Sequence, residues 1–304
     1  MLPLSSDALL AVWEDGVRLH GVDRALLVLS RACPEHDHDT LAGMSLGRRD
    51  ALLIAVRRQS FGDRMDASTA CPSCREYLEL SLSCASLLAG SAPGAHDEPS
   101  ATDTIAIDGY ELVLRAPDSY DAAIAAGCSS VEEAAAILFE RSVRLGEPRR
   151  SSRRRSRERR RERAALDGEA AATPPFERSD SVERAALHGK AAAATTFDRS
   201  ASRTDPAEPN GAELPAEVRR AATERLAAMD PHAEIRLDLS CPGCGHAWQD
   251  LLDVAPFVWA EICSRAQRLL QEVHELARYY GWSEQDILGM SVTRRTLYLQ
   301  RVES

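Results

Sequence analysis

Cys71-Pro72-Ser73-Cys74-Arg75-Glu76-Tyr77-Leu78-Glu79-Leu80-Ser81-Leu82 and Cys241-Pro242-Gly243-Cys244-Gly245-His246-Ala247-Trp248 carry the decisive pattern of this chain. Each begins with two cysteines separated by two residues and continues into strand-like sequence, Tyr77 marking the first and Trp248 the second. Leu78, Leu80 and Leu82 alternate, which puts them on one face of a strand. Ile235, Leu237 and Leu239 do the same ahead of the second pair. A C-x-x-C knuckle holds two thiolates about 3.5–4 Å apart, and two knuckles supply the four sulfurs of a tetrahedral Zn²⁺ shell. Cys71, Cys74, Cys241 and Cys244 are therefore the expected metal ligands, each knuckle forming half of a zinc ribbon.

From Cys74 to Cys241 is 167 residues, far beyond the usual ~15–20 between the halves of a local site. Closing so long a loop costs only a few kcal/mol more than closing a short one, against ~10–16 kcal/mol for structural zinc binding. The spacing thus predicts a metal that joins the two ends of one domain. Rival chemistries fit less well. A thioredoxin-like pair opens a helix, whereas strand alternation follows Cys74. Haem attachment needs C-x-x-C-H, and Gly245 separates Cys244 from His246, which is itself an alternative fourth ligand. Eight cysteines without a secretion signal favour thiols or metal ligands over disulfides. Cys33, Cys84, Cys128 and Cys263 read as packing residues.

Working outward, helical periodicity starts near Ser6-Asp7 and again at Asp23, then from Ser45 to Phe61-Gly62. His36-Asp37-His38-Asp39 reads as part of a polar loop at 35–40, and 90–103 as another. Thr104–Ala116 predicts a hairpin turning at Asp108-Gly109. Helices follow at 119–126 and 130–144, with Glu132-Glu133 on a solvent face. A further helix covers 214–229 and the longest one 255–280, with Phe257, Trp259, Ile262, Ala266, Leu269, Leu270, Val273, Leu276 and Ala277 on its apolar face. Ser283 and Ser291 cap two last short helices. The fold class expected is α+β: mainly helical, with small β-hairpins and a split four-cysteine zinc ribbon joining the N- and C-terminal segments.

Residues 146–212 differ in kind. Positions 149–163 hold ten arginines against Glu158 and Glu162, a local charge of +8 that leaves −18 for the rest of a chain whose net charge is −10. Arg163-Ala-Ala-Leu-Asp-Gly returns as Arg184-Ala-Ala-Leu-His-Gly in an imperfect 21-residue repeat too poor in large apolar residues to build a solenoid. The expected organisation is 1–145 and 213–304 as two parts of one zinc-stapled domain, with 146–212 a disordered Arg/Ala-rich insert. No apolar run of about eighteen residues and no signal-peptide pattern occurs, so the expected location is cytoplasmic. An acidic overall balance argues against a general nucleic-acid binder. Neither G-x-x-x-x-G-K-[ST] nor G-x-G-x-x-G is present. Ser5, Ser45, Ser283 and Ser291 are best read as helix caps rather than nucleophiles, so no catalytic residue is expected.

Gly43-Met44-Ser45-Leu46-Gly47-Arg48-Arg49 echoes Gly289-Met290-Ser291-Val292-Thr293-Arg294-Arg295. Arginines near a helix start oppose its dipole, which predicts that they serve a partner or an internal carboxylate.

Taken together, Leu46-Gly-Arg-Arg-Asp-Ala-Leu-Leu, Phe61-Gly, Cys71-Pro-Ser-Cys and Leu78-Glu-Leu resemble the baseplate proteins of contractile phage tails and extracellular contractile injection systems, similar to the T-even phage baseplate-hub subunit family. Cys241-Pro-Gly-Cys-Gly-His-Ala-Trp, Glu272-Val-His-Glu-Leu-Ala, Tyr280-Gly-Trp, Ile287-Leu, Arg294-Arg and Tyr298-Leu fit the same group. The resemblance covers roughly 1–145 and 214–304. It implies a non-catalytic structural or assembly role in a tail-like particle, with hub, spike or other baseplate proteins as partners and the four cysteines as metal ligands. The alternatives are a zinc-ribbon regulator that uses 149–163 to contact nucleic acid, and a thiol oxidoreductase.

Overall fold

Most helix starts in this protein are set by one side chain that accepts a hydrogen bond from the first turn. In the computed structural model, which describes residues 1–89, 102–146 and 214–302, Ser5 accepts from the Ala8 N–H and opens α1 (Ser6–Gly16). Helix α2 (Gly21–Ala32) follows. Asp37 then caps α3 (His38–Ala42), so the stretch expected as a polar loop is in part a short helix. Ser45 caps α4 (Leu46–Phe61). The chain turns at Gly62, φ 96°, into the antiparallel hairpin of β1 (Arg64–Ala70) and β2 (Tyr77–Ser83), then α5 (Cys84–Leu88).

The expected hairpin begins slightly earlier than the sequence pattern suggests, as β3 (Thr102–Ile107) and β4 (Tyr110–Arg115). Asp108 and Gly109 both take positive φ, the requirement of a two-residue type I′ turn. After α6 (Ser119–Ala125), α7 (Val131–Ser142) stops short of 144, because Val143–Leu145 form β5 against β4. That small sheet and α7 pack Leu112, Leu114, Val143 and Phe139 on Val218 and Ala222 of α8 (Ala216–Met229). The hairpin of β6 (Ile235–Ser240) and β7 (Ala247–Leu252) leads into α9 (Val254–Tyr280), which ends at a left-handed Gly281. Ser283 and Ser291 accept bonds from Asp286 and Arg294 at the starts of α10 (Glu284–Leu288) and α11 (Val292–Val302). The architecture is α+β, predominantly helical with small antiparallel hairpins.

The main core joins chain ends. Helices α1, α2 and α4 bury Leu10, Val12, Leu26, Leu29, Leu53 and Ile54 against Val254, Val258, Ile262, Ala266 and Leu269 of α9. The buried stripe of α9 thus follows helical spacing from Val254, and Phe257 and Leu270 pack at its margin. Trp259 lies against Gly16, where an added Cβ would stand 2.4 Å from the indole. The described residues 1–89, 102–145 and 214–302 belong to one compact unit. The expected disordered insert, 146–212, lies outside the described residues apart from Gly146. Among the described residues no helix is long and apolar enough to cross a membrane.

Candidate metal centre

The two knuckles are built alike. In the first, the Cys71 N–H donates to the Glu76 carbonyl and the Arg75 N–H to the Cys71 carbonyl, each at 2.9 Å. In the second, the Cys241 N–H donates to His246 and the Gly245 N–H to Cys241, again at 2.9 Å. The residue after each second cysteine is left-handed: Arg75 at φ 64°, Gly245 at φ 73°. An arginine there is uncommon, and the tight turn that presents both sulfurs requires it. The register closes at Ala70 opposite Tyr77 and at Ser240 opposite Ala247.

The hairpins bring all four sulfurs within 4.8 Å of one another. Cys71 Sγ lies 3.7 Å from Cys244 Sγ, and Cys74 Sγ lies 3.5 Å from Cys241 Sγ. A tetrahedron with metal–sulfur bonds of about 2.3 Å has edges of about 3.8 Å. The cluster therefore fits a thiolate-bound metal ion of that size. Thr69 Oγ1 donates to Asp250 at 2.9 Å, a polar link between the hairpins beside the cluster. Cys71 and Cys241 are buried with Leu78, and Trp248 packs on them. Leu78 and Trp248 both stand four residues after a second cysteine, so they are the true counterparts. Tyr77 faces out at 67% exposure, its hydroxyl on Ser68.

Electrostatics supply the second test of fit. Burial works against ionising Cys71, but the backbone N–H groups of Cys74 and Ser73 outweigh it and bring its thiol down to about 7. For Cys74 the Glu76 N–H favours the thiolate, yet the sulfurs of Cys244 and Cys241 overcome it and push the thiol up to about 12. The neighbouring sulfurs thus favour ionising Cys71 and oppose ionising Cys74. A cation that takes all four thiolates removes that conflict, as metal binding displaces thiol protons.

The remaining candidates are not brought to this centre. His246 is exposed, its carbonyl used by Cys241 and its ring 6.0 Å from that of Trp248. Cys33 and Cys84 are buried elsewhere; Cys128 and Cys263 are half-buried. Asp37 serves as a cap, and Asp39 accepts from the Tyr120 hydroxyl. Of the paired arginines, Arg49 and Arg295 are both buried and both meet internal carboxylates, Asp50 at 2.8 Å and Glu272 at 3.0 Å. For these two the internal reading replaces the partner reading.

Polar ties invisible in the sequence reinforce the joint. Asp230 accepts from the Ser45 hydroxyl at 3.0 Å and from the Gly47 N–H at 2.8 Å, placing a carboxylate at the N-terminus of α4. Arg57 grips Glu261 with two bonds, of 2.8 and 3.0 Å. The Asp230-Pro231 step signals a helix stop, but no local pattern announces a cap 183 residues away.

Residues 21–144 match the family described as T4 bacteriophage base plate protein. The matched stretch runs from α2 almost to the end of β5, so it contains the first knuckle and not the second. No curated protein and no solved structure matches the chain.

Proposed function

From the match of residues 21–144 to the family of T4 bacteriophage base plate proteins, we propose that this protein is a non-catalytic structural or assembly component of the baseplate of a contractile, phage-tail-like injection apparatus. One structural Zn²⁺ on Cys71, Cys74, Cys241 and Cys244 holds it together. The family match supports a structural base plate role, and the four-sulfur cluster, which suits a metal without identifying it, supports the metal. In this reading the ion makes one domain of 1–145 and 213–304. Residues 146–212 are a disordered insert carried between them. Its partners are other baseplate, hub or spike proteins, and its location is the cytoplasm, within the assembling particle. The observation that carries the reading is the family match over 21–144, a segment that supplies two cysteines of a four-sulfur cluster whose other two come from Cys241 and Cys244.

Elemental analysis of the purified full-length protein is expected to find one zinc per chain. Pull-down from cells that make the particle is expected to recover tube and hub proteins. Deleting 146–212 is expected to leave particle formation intact. Metal-free protein with unchanged stability would overturn the zinc reading, and particles that form normally without the gene product would overturn the baseplate reading.

A further inference from the structure

The cluster pairs its cysteines by exposure as well as by distance. The 3.7 Å approach of Cys71 to Cys244 and the 3.5 Å approach of Cys74 to Cys241 both run between knuckles. Each joins a buried cysteine to an exposed one: Cys71 to Cys244, and Cys241 to Cys74. The near-equivalence of the two hairpins repeats the arrangement. A small oxidant reaches Cys74 and Cys244 first, and each already has a shielded thiol of the opposite knuckle beside it.

We propose that these four cysteines are an oxidative modification site, at which a peroxide acting on the metal-free protein forms two cross-knuckle disulfides, Cys71–Cys244 and Cys74–Cys241. In the first step the exposed sulfur attacks the peroxide. An S–O bond forms, the O–O bond breaks, and one water leaves a sulfenic acid. In the second the buried thiol of the opposite knuckle attacks that sulfur. The S–S bond forms, the S–O bond breaks, and the departing hydroxide takes the thiol proton as a second water. Each pair therefore consumes two thiols and one hydrogen peroxide, and yields one disulfide and two waters. The sulfurs of Cys33 and Cys84, buried elsewhere in the core, have no part in it. The consequence is a clasp with two chemistries: where the metal is absent, the same residues hold the two ends of the chain together covalently. This rests on the metal reading for one point alone, that a bound ion shields the sulfurs.

The test uses the full-length protein, as purified and after chelator treatment, each exposed to hydrogen peroxide. Thiol titration in denaturant is expected to fall from eight to four per chain in the chelated sample and to hold at eight in a metal-loaded one. On an unreduced gel the chelated, oxidised chain is expected to run faster, because loops of 167 and 173 residues are closed; reductant reverses the shift. Tandem fragmentation is expected to find the tryptic peptide 65–75 linked to 237–265, with the pairs as assigned. A Cys71–Cys74 loop within 65–75, or sulfinic acids at Cys74 and Cys244 without linkage, would overturn the proposal. Elemental analysis separates the two readings: cross-knuckle disulfides in a protein that never binds metal sink the zinc reading alone, and loops within a knuckle in a zinc protein sink this one alone.

Discussion

Replacing Gly47 with alanine should reverse the sign that helix propensity assigns. Glycine to alanine inside a helix ordinarily stabilises by up to about 1 kcal/mol. Gly47 is the second residue of α4, and a Cβ there would lie 2.3 Å from Asp230 Oδ1 and 2.4 Å from the backbone nitrogen of Ala233. Neither can stay. Moving Asp230 breaks its bonds from the Gly47 N–H and the Ser45 hydroxyl, both buried. A hydrogen bond to a charged group contributes about 1.5–3 kcal/mol, so losing both costs about 3–6 kcal/mol and the net destabilisation is about 2–5 kcal/mol. For a folded unit of this size that lowers the melting temperature by roughly 4–20 °C. Gly21 is the control: it too lies within the first turn of a helix, and nothing stands within 4 Å of the added Cβ. Calorimetry of G47A, G21A and the parent, all loaded with metal, makes the comparison. If G47A melts at or above the parent, Asp230 does not hold the start of α4 and the reasoning fails.

Chelation of the parent protein should lower its melting temperature by several degrees, while a Cys74→Ala variant should melt lower from the outset and respond little to chelator. Arg57→Met leaves Glu261 with Arg265 alone and should cost about 1–3 kcal/mol in denaturant titration; an unchanged midpoint would show the pair to be dispensable. Burial pushes Asp50 up to about 6, despite the opposing Arg49 guanidinium beside it, and the carboxylates of Asp253 and Asp230 add to the rise. A raised folded-state value means that its stabilising contribution is complete below the ordinary carboxylate range and is lost as pH rises through 6. Stability should therefore fall by at most about 3 kcal/mol from this group between pH 4 and pH 8, and Asp50→Asn should flatten that fall. A fragment ending at residue 145 should not fold alone, judged by amide dispersion in NMR, since it forfeits the apolar stripe of α9.

The elements legible in the sequence are those whose signal is local. Serine caps at 5, 45, 283 and 291, the Asp108-Gly109 turn and the 27-residue periodicity of α9 are each decided within a few residues of themselves. The sulfur cluster was legible for a different reason, because four cysteines in two identical spacings have few ways to be satisfied except together. What stayed hidden depends on distant company. β5 is three residues long, and only pairing with β4 tells Val143–Leu145 from the last turn of α7. The roles of Arg49 and Arg295 were undecided until burial and a facing carboxylate settled them. Tyr77 looked like the partner of Trp248 because both are aromatic, whereas the pleat gives that place to Leu78.

The family match ends near 144, yet the fold does not. Val254, Val258, Trp259, Ile262 and Leu269 of α9 are buried in the same core as α1, α2 and α4. At about 1.5–3 kcal/mol for each large apolar side chain, that stripe contributes on the order of 10 kcal/mol, comparable with the whole stability of an ordinary domain. Several polar ties run the same way: two sulfurs from each end, Asp230 onto the start of α4, Glu261 onto Arg57, Arg295 onto Ser6 at 3.2 Å. A surface that depends on both ends for its shape cannot be presented by either alone. The matched residues 21–144 fold as part of a body that the last third of the chain completes, and the four-sulfur cluster sits at one seam of that joint.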